Sequence, residues 1–254
     1  MGSSPAPGAL ERILRRDRLV IVLVLAALTA GAWAQMVLDA GASAAHPLLP
    51  CCGARFDLAF LMWLVMMAGM MLPSVAPMVL VHAALVRRSG RRAPWISSAL
   101  FLGGYGLAWA LFSAGAAGLQ HLLFRRGLLD GRALAVAPWL GGAVLLAAGL
   151  FQLSPAKEAC LSGCRAPLGY FVTGWRDGRA GAVAMGWRHG LSCVGCCGLL
   201  MAVLFAVGIM NLLWGMALTA FVLAERALPW RRAVVWTGAG ACLAGAVVLF
   251  QRAL

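Results

Sequence analysis

The chain has 254 residues, of which 63% are hydrophobic and 11% charged, and its net charge of +13 comes almost wholly from arginine, Lys157 being the single lysine. A soluble domain is about a quarter charged, so this composition argues against a soluble globule and, with apolar runs of about 20 residues or more, for helices that cross a bilayer. Short strands of alternating polarity are missing, which argues against an outer-membrane barrel; arginines confined to short segments between apolar runs read as topology and headgroup contacts, not as a nucleic-acid surface.

In chain order, residues 1–18 form a small-residue leader ending in ERILRRDR, expected to be a basic cytoplasmic segment ahead of one transmembrane domain at 19–254. The run 19–38 contains TAGAWA, whose small residues suit signal cleavage. The leader is long for a signal peptide, however, and an uncleaved first helix is expected. Residues 39–57 read as a loop carrying HPLLPCCG. The second span, 58–86, holds Pro73 and Pro77 and is expected to kink or break near its middle. A third span follows at 95–124, then the loop RRGLLDGR, then a fourth span at 133–153. Ser154 followed by Pro155 is a helix-start pattern, so a short helix is expected over 154–166, ending before Pro167. Spans at 182–208, 212–228 and 233–250 complete an all-α, polytopic bundle of about seven helices. Near the helix ends, fifteen basic residues fall on the side of the N-terminus and five on the other; the bias places the N-terminus in the cytoplasm.

Eight cysteines do not space out like a secreted disulfide framework. Seven sit in three tight groups, which points to ligation or redox chemistry, and Cys242 alone reads as a small core residue. In HGLSCVGCCGLLM, His189, Cys193, Cys197 and Met201 are each four residues apart and form one helical stripe, with Cys196 flanking it. Imidazole, thiolate and thioether suit a soft ion, Cu(I) first and Zn(II) second; a bound cation would also neutralise a thiolate that is costly in a membrane. Upstream, Met62, Met66 and Met70 share a stripe, Met67 and Met71 a neighbouring one, and Met78 and His82 are again four apart. Six methionines in seventeen residues read either as plastic core packing or as a thioether relay for Cu(I).

Cys160 and Cys164 lie one turn apart on the short helix, a metal docking pair or a redox dithiol, with Lys157 and Arg165 expected to favour their thiolates. On the outer loop, His46, Cys51 and Cys52 make a candidate capture site. Glu225 with Arg226 reads as a snorkelling interfacial pair, the alternative being a counter-charge beside the cysteine helix.

Three segments, MMAGMMLPS at 66–74, FQLSPAKEACLSGCRAP at 151–167 and HGLSCVGCCGLLMAVLFAVGIMNLLWGMAL at 189–218 with Glu225 after them, resemble a bacterial family of predicted metal-binding integral membrane proteins. One branch of that family comprises membrane copper chaperones that supply tyrosinase and laccase. The chain differs at Gly198, where the family often has an aromatic residue, and at Arg226, where it often has lysine; neither change removes a ligand type. The resemblance implies a multi-pass protein of the bacterial inner membrane that binds Cu(I) and passes it to a copper-dependent enzyme or soluble carrier, with no catalytic residues and with a homo-oligomer left open. The competing readings are a membrane thiol–disulfide oxidoreductase and a metal permease.

Overall fold

The computed structural model describes residues 7–45, 55–89, 94–130, 135–209 and 211–254. His46, Cys51 and Cys52 lie outside them. The elements are helical: α1 (Pro7–Ala45), α2 (Phe56–Arg88), α3 (Pro94–Arg125), α4 (Pro138–Gln152), α5 (Pro155–Arg165), α6 (Pro167–Gly174), α7 (Gly178–Ala202), α8 (Leu204–Val207), α9 (Leu212–Ala227) and α10 (Arg231–Gln251). Among the described residues, five stretches are long and apolar enough to cross a membrane: 16–41 within α1, then α2, α3, 178–207 across α7 and α8, and 232–251 within α10. Counting α4 and α5, bent by 66° at their junction, as one broken span gives up to six. The expected fourth and sixth spans correspond to α4 and α9, whose 15 and 16 residues fall short of the roughly 20 that a hydrocarbon core requires.

Local chemistry explains several boundaries. Ser154 accepts a hydrogen bond from the Lys157 amide at 3.2 Å and Pro155 opens α5, as the sequence suggests. Asn211 caps α9 by accepting from the amides of Leu213 and Trp214. The helix α2 is not broken at its prolines. Pro73 lacks an N–H, which leaves the Gly69 carbonyl without its intrahelical donor; the indole of Trp33 on α1 donates to that carbonyl at 3.2 Å instead. Arg87 at the end of α2 donates to Asp17 on α1 at 2.7 Å, so the start of α1 and the end of α2 share one face of the bundle.

The most extensive helix pairing is α3 with α7. It is made of small residues: a Cβ on Gly186 would stand 1.9 Å from the Phe101 carbonyl oxygen, one on Gly104 2.2 Å from that of Val183, and one on Gly190 2.7 Å from the Ala108 methyl. Ala182, Gly186 and Gly190 are four apart and so form a single seam, the pattern that lets helix backbones approach closely in lipid. On the far side α10 packs on α4, where Gly142 receives the Phe250 ring. Outward-facing leucines such as Leu111 and Leu119 on α3 are exposed, as expected of surfaces that meet acyl chains rather than water.

Candidate functional site

The seam fixes α7 against α3, and that contact sets the position of the cysteines one to two turns further along. Cys193, Cys196 and Cys197 are all buried. Cys196 and Cys197 bring their sulfurs to 3.1 Å, and Cys196 also donates to the Cys193 carbonyl at 3.2 Å. From α3, the Tyr105 hydroxyl reaches the Cys193 sulfur at 3.2 Å and the Met71 carbonyl at 3.4 Å, linking the cysteine helix to the methionine helix. From α5, Cys164 is buried in the same core as the three α7 cysteines. The CxxxC pair lies against the cysteine helix: Cys164 shares its buried core, and Cys160 packs against α7 where Gly195 leaves room, its sulfur 3.1 Å from where a Cβ would sit. The six cysteines among the described residues are all unbridged.

At the centre of the thiols lies a residue that the sequence reading assigned to the interface. Arg226, in the last turn of α9, directs Nη2 to Cys193 at 3.0 Å, Cys197 at 3.3 Å and Cys196 at 3.6 Å, and Nη1 to the Ser74 carbonyl at 3.4 Å. Its neighbour Glu225 is fully buried and ion-paired to Lys157, with Nζ at 2.8 and 2.9 Å from its two oxygens. Gln152 donates to the same carboxylate at 2.9 Å and accepts from Lys157. Lys157 is thus turned to Glu225, and Arg165 to the Leu228 carbonyl; neither cation serves the thiols, because the carboxylate and the open carbonyl at the end of α9 are stronger partners. Among the described residues, no group of three or more His, Cys, Asp or Glu side chains is arranged so that it could hold a metal ion as it stands; a guanidinium lies among the sulfurs.

The remaining predicted residues divide by position. His189, one turn before Cys193, is fully buried with no hydrogen-bond partner at either ring nitrogen. Its ring lies between Tyr105 and Phe101 at 5.7 and 6.1 Å, with Tyr170 edge-on at 5.5 Å. Burial holds the Tyr170 phenol above its ordinary pKa, and it donates to the Met185 carbonyl at 2.6 Å. Met71 is the methionine tied to the thiols, through Tyr105 and through Ser74, which donates to the Met71 carbonyl at 2.7 Å. Met67, Met70 and Met201 are buried in the same core. Met66 lies further along α2 and, with Met36, Met62 and Asp39, lines a separate cavity of about 20 Å³. His82 sits three turns beyond Met71, its ring 5.0 Å from that of Phe101 and Nδ1 3.3 Å from the Ser98 hydroxyl, within an aromatic box apart from the sulfurs.

Sulfur side chains from α5 and α7 are thus buried together in one apolar core of a largely helical structure. A family model described as PpoB2, copper chaperone, matches residues 60–249, and the chain belongs to that copper chaperone family. The match bears out the resemblance drawn from the three motif segments. No curated protein and no solved structure matches the chain.

Proposed function

We propose that the protein resides in the bacterial cytoplasmic membrane, takes up Cu(I) on buried sulfur ligands and hands it to a copper-dependent partner. One observation carries the reading: the thiols of Cys193, Cys196 and Cys197 on α7 converge on a single cationic group, with Cys164 of α5 buried in the same core. A pocket of sulfur that already accommodates a monovalent cation is chemically suited to Cu(I), which prefers thiolate and thioether over harder donors. His189 adds an imidazole with no other partner, and Met71 is the first of the thioethers that continue through Met70, Met67 and Met66 along α2. Met201 extends the α7 stripe by one turn. The arginine bias gives the chain a cytoplasmic N-terminus and puts the start of α1 and the end of α2 on the inner side.

Transfer proceeds by ligand exchange. A Cu(I)–sulfur bond to a protein cysteine forms as a bond to the donor breaks, and the displaced thiol proton passes to the donor's released ligand. No electron moves and no substrate bond is cleaved, so the role is non-enzymatic. Purified protein titrated with Cu(I) under reducing conditions tests this. The wild type is expected to bind about one ion per chain, and serine at Cys193, Cys196 or Cys197 to weaken binding more than about tenfold. Serine variants that bind copper normally but lose thiol–disulfide exchange would instead make the protein an oxidoreductase.

A further inference from the structure

The Arg226 guanidinium occupies the position where an ion shared by the sulfurs would sit. Nη2 is the common neighbour of three thiols at 3.0 to 3.6 Å. Metal–thiolate bonds are only about 2.3 Å long, so an ion bonded to two or more of these sulfurs competes for the same space and the same lone pairs. Two cations in one low-dielectric pocket repel strongly.

We infer that Arg226 is a tethered stand-in for the cargo: it holds the thiols together before loading, withdraws when Cu(I) enters, and returns to drive release. The inference rests on the Cu(I)-carrier reading of the site.

Arg226 is built for such an exchange. Guanidinium is charged at any pH the protein meets, so its withdrawal offsets the positive charge that Cu(I) brings into the pocket. The backbone beside it is anchored, because Glu225 is locked to Lys157 and Gln152, while the Arg226 side chain is not. Its bonds beyond the sulfurs amount to a single long contact with the Ser74 carbonyl, and its Nε has no partner. The residue as a whole is half-buried rather than sealed.

The test uses full-length protein in detergent under reductant, with Cu(I) affinity read by competition against a chromogenic Cu(I) chelator. Arg226→Gln is expected to bind Cu(I) about tenfold tighter than the wild type, the worth of one lost charge-assisted competitor, and to release it to the chelator correspondingly more slowly. Arg226→Lys, which keeps the charge but cannot fork across the sulfurs and Ser74, should fall between. A measurement on the wild type alone guards against a misfolded variant: phenylglyoxal modification mapped to residue 226 by mass spectrometry should be slow without metal and fast with one equivalent of Cu(I). Equal or weaker Cu(I) binding by Arg226→Gln, or Arg226 as protected with Cu(I) as without, overturns the inference and leaves the carrier reading standing. No Cu(I) bound by either protein removes the carrier reading, and the inference with it.

Discussion

Cys193 is where three elements meet: on α7 itself, its sulfur contacts Tyr105 from α3 and Arg226 from α9. Only the part of this arrangement internal to α7 was legible in the sequence, because residues four apart share a helical face whatever surrounds them. The partners of Cys193 from α3 and α9 lie 88 and 33 residues away and have no local signature. The available hint was a Glu–Arg pair in an apolar run, which reads equally well as an interfacial anchor until its neighbours are known. His189 gives a prediction at this scale. Each buried polar atom without a partner costs about 1–3 kcal/mol, and a ring lying among Phe101, Tyr105 and Tyr170 has a shape that phenylalanine matches. His189→Phe should leave the metal-free melting temperature unchanged or raised while lowering Cu(I) affinity. A melting temperature several degrees lower would mean that the imidazole is already satisfied in the fold.

Among the elements, α5 was foreseen from its cap, and the prolines of α2 were recognised, but the helix runs through them without a break. Pro73 orphans the Gly69 carbonyl, and Trp33 on another helix serves it. The short α6 was missed because eight residues carry too little periodicity to stand out. The α3–α7 seam is the element-scale feature on which the site depends. Gly186→Ala drives a methyl into the Phe101 carbonyl, and neither backbone can yield without separating the helices. A loss of about 1–3 kcal/mol and reduced copper loading are expected by detergent unfolding and metal analysis. Gly106→Ala on the same α3 meets nothing within 4 Å and should be neutral or stabilising by up to about 1 kcal/mol. Equal behaviour of the two variants would show that close approach at Gly186 is unimportant.

For the whole molecule, composition alone was enough to give an all-helical chain with apolar outer faces. It counted α4 and α9 as spans, although their 15 and 16 residues are short of the roughly 20 a hydrocarbon core requires. The Lys157–Glu225–Gln152 group ties α4, α5 and α9 together in the interior. Lys157→Met strands a buried carboxylate and should cost about 3–5 kcal/mol. Adding Glu225→Met should recover most of the loss in the same unfolding assay; failure of the double variant to recover would mean that the pair does more than balance charge. That brace also holds the end of α9, and so Arg226, against the thiols, which makes the sulfur pocket a product of the entire bundle. X-ray absorption at the copper edge on the Cu(I)-loaded wild-type protein tests that pocket most directly. The expected spectrum is that of Cu(I) with a first shell of sulfur at about 2.3 Å, reduced in sulfur content by Cys193→Ser; a shell of oxygen and nitrogen alone, or copper lost on purification, would contradict the account.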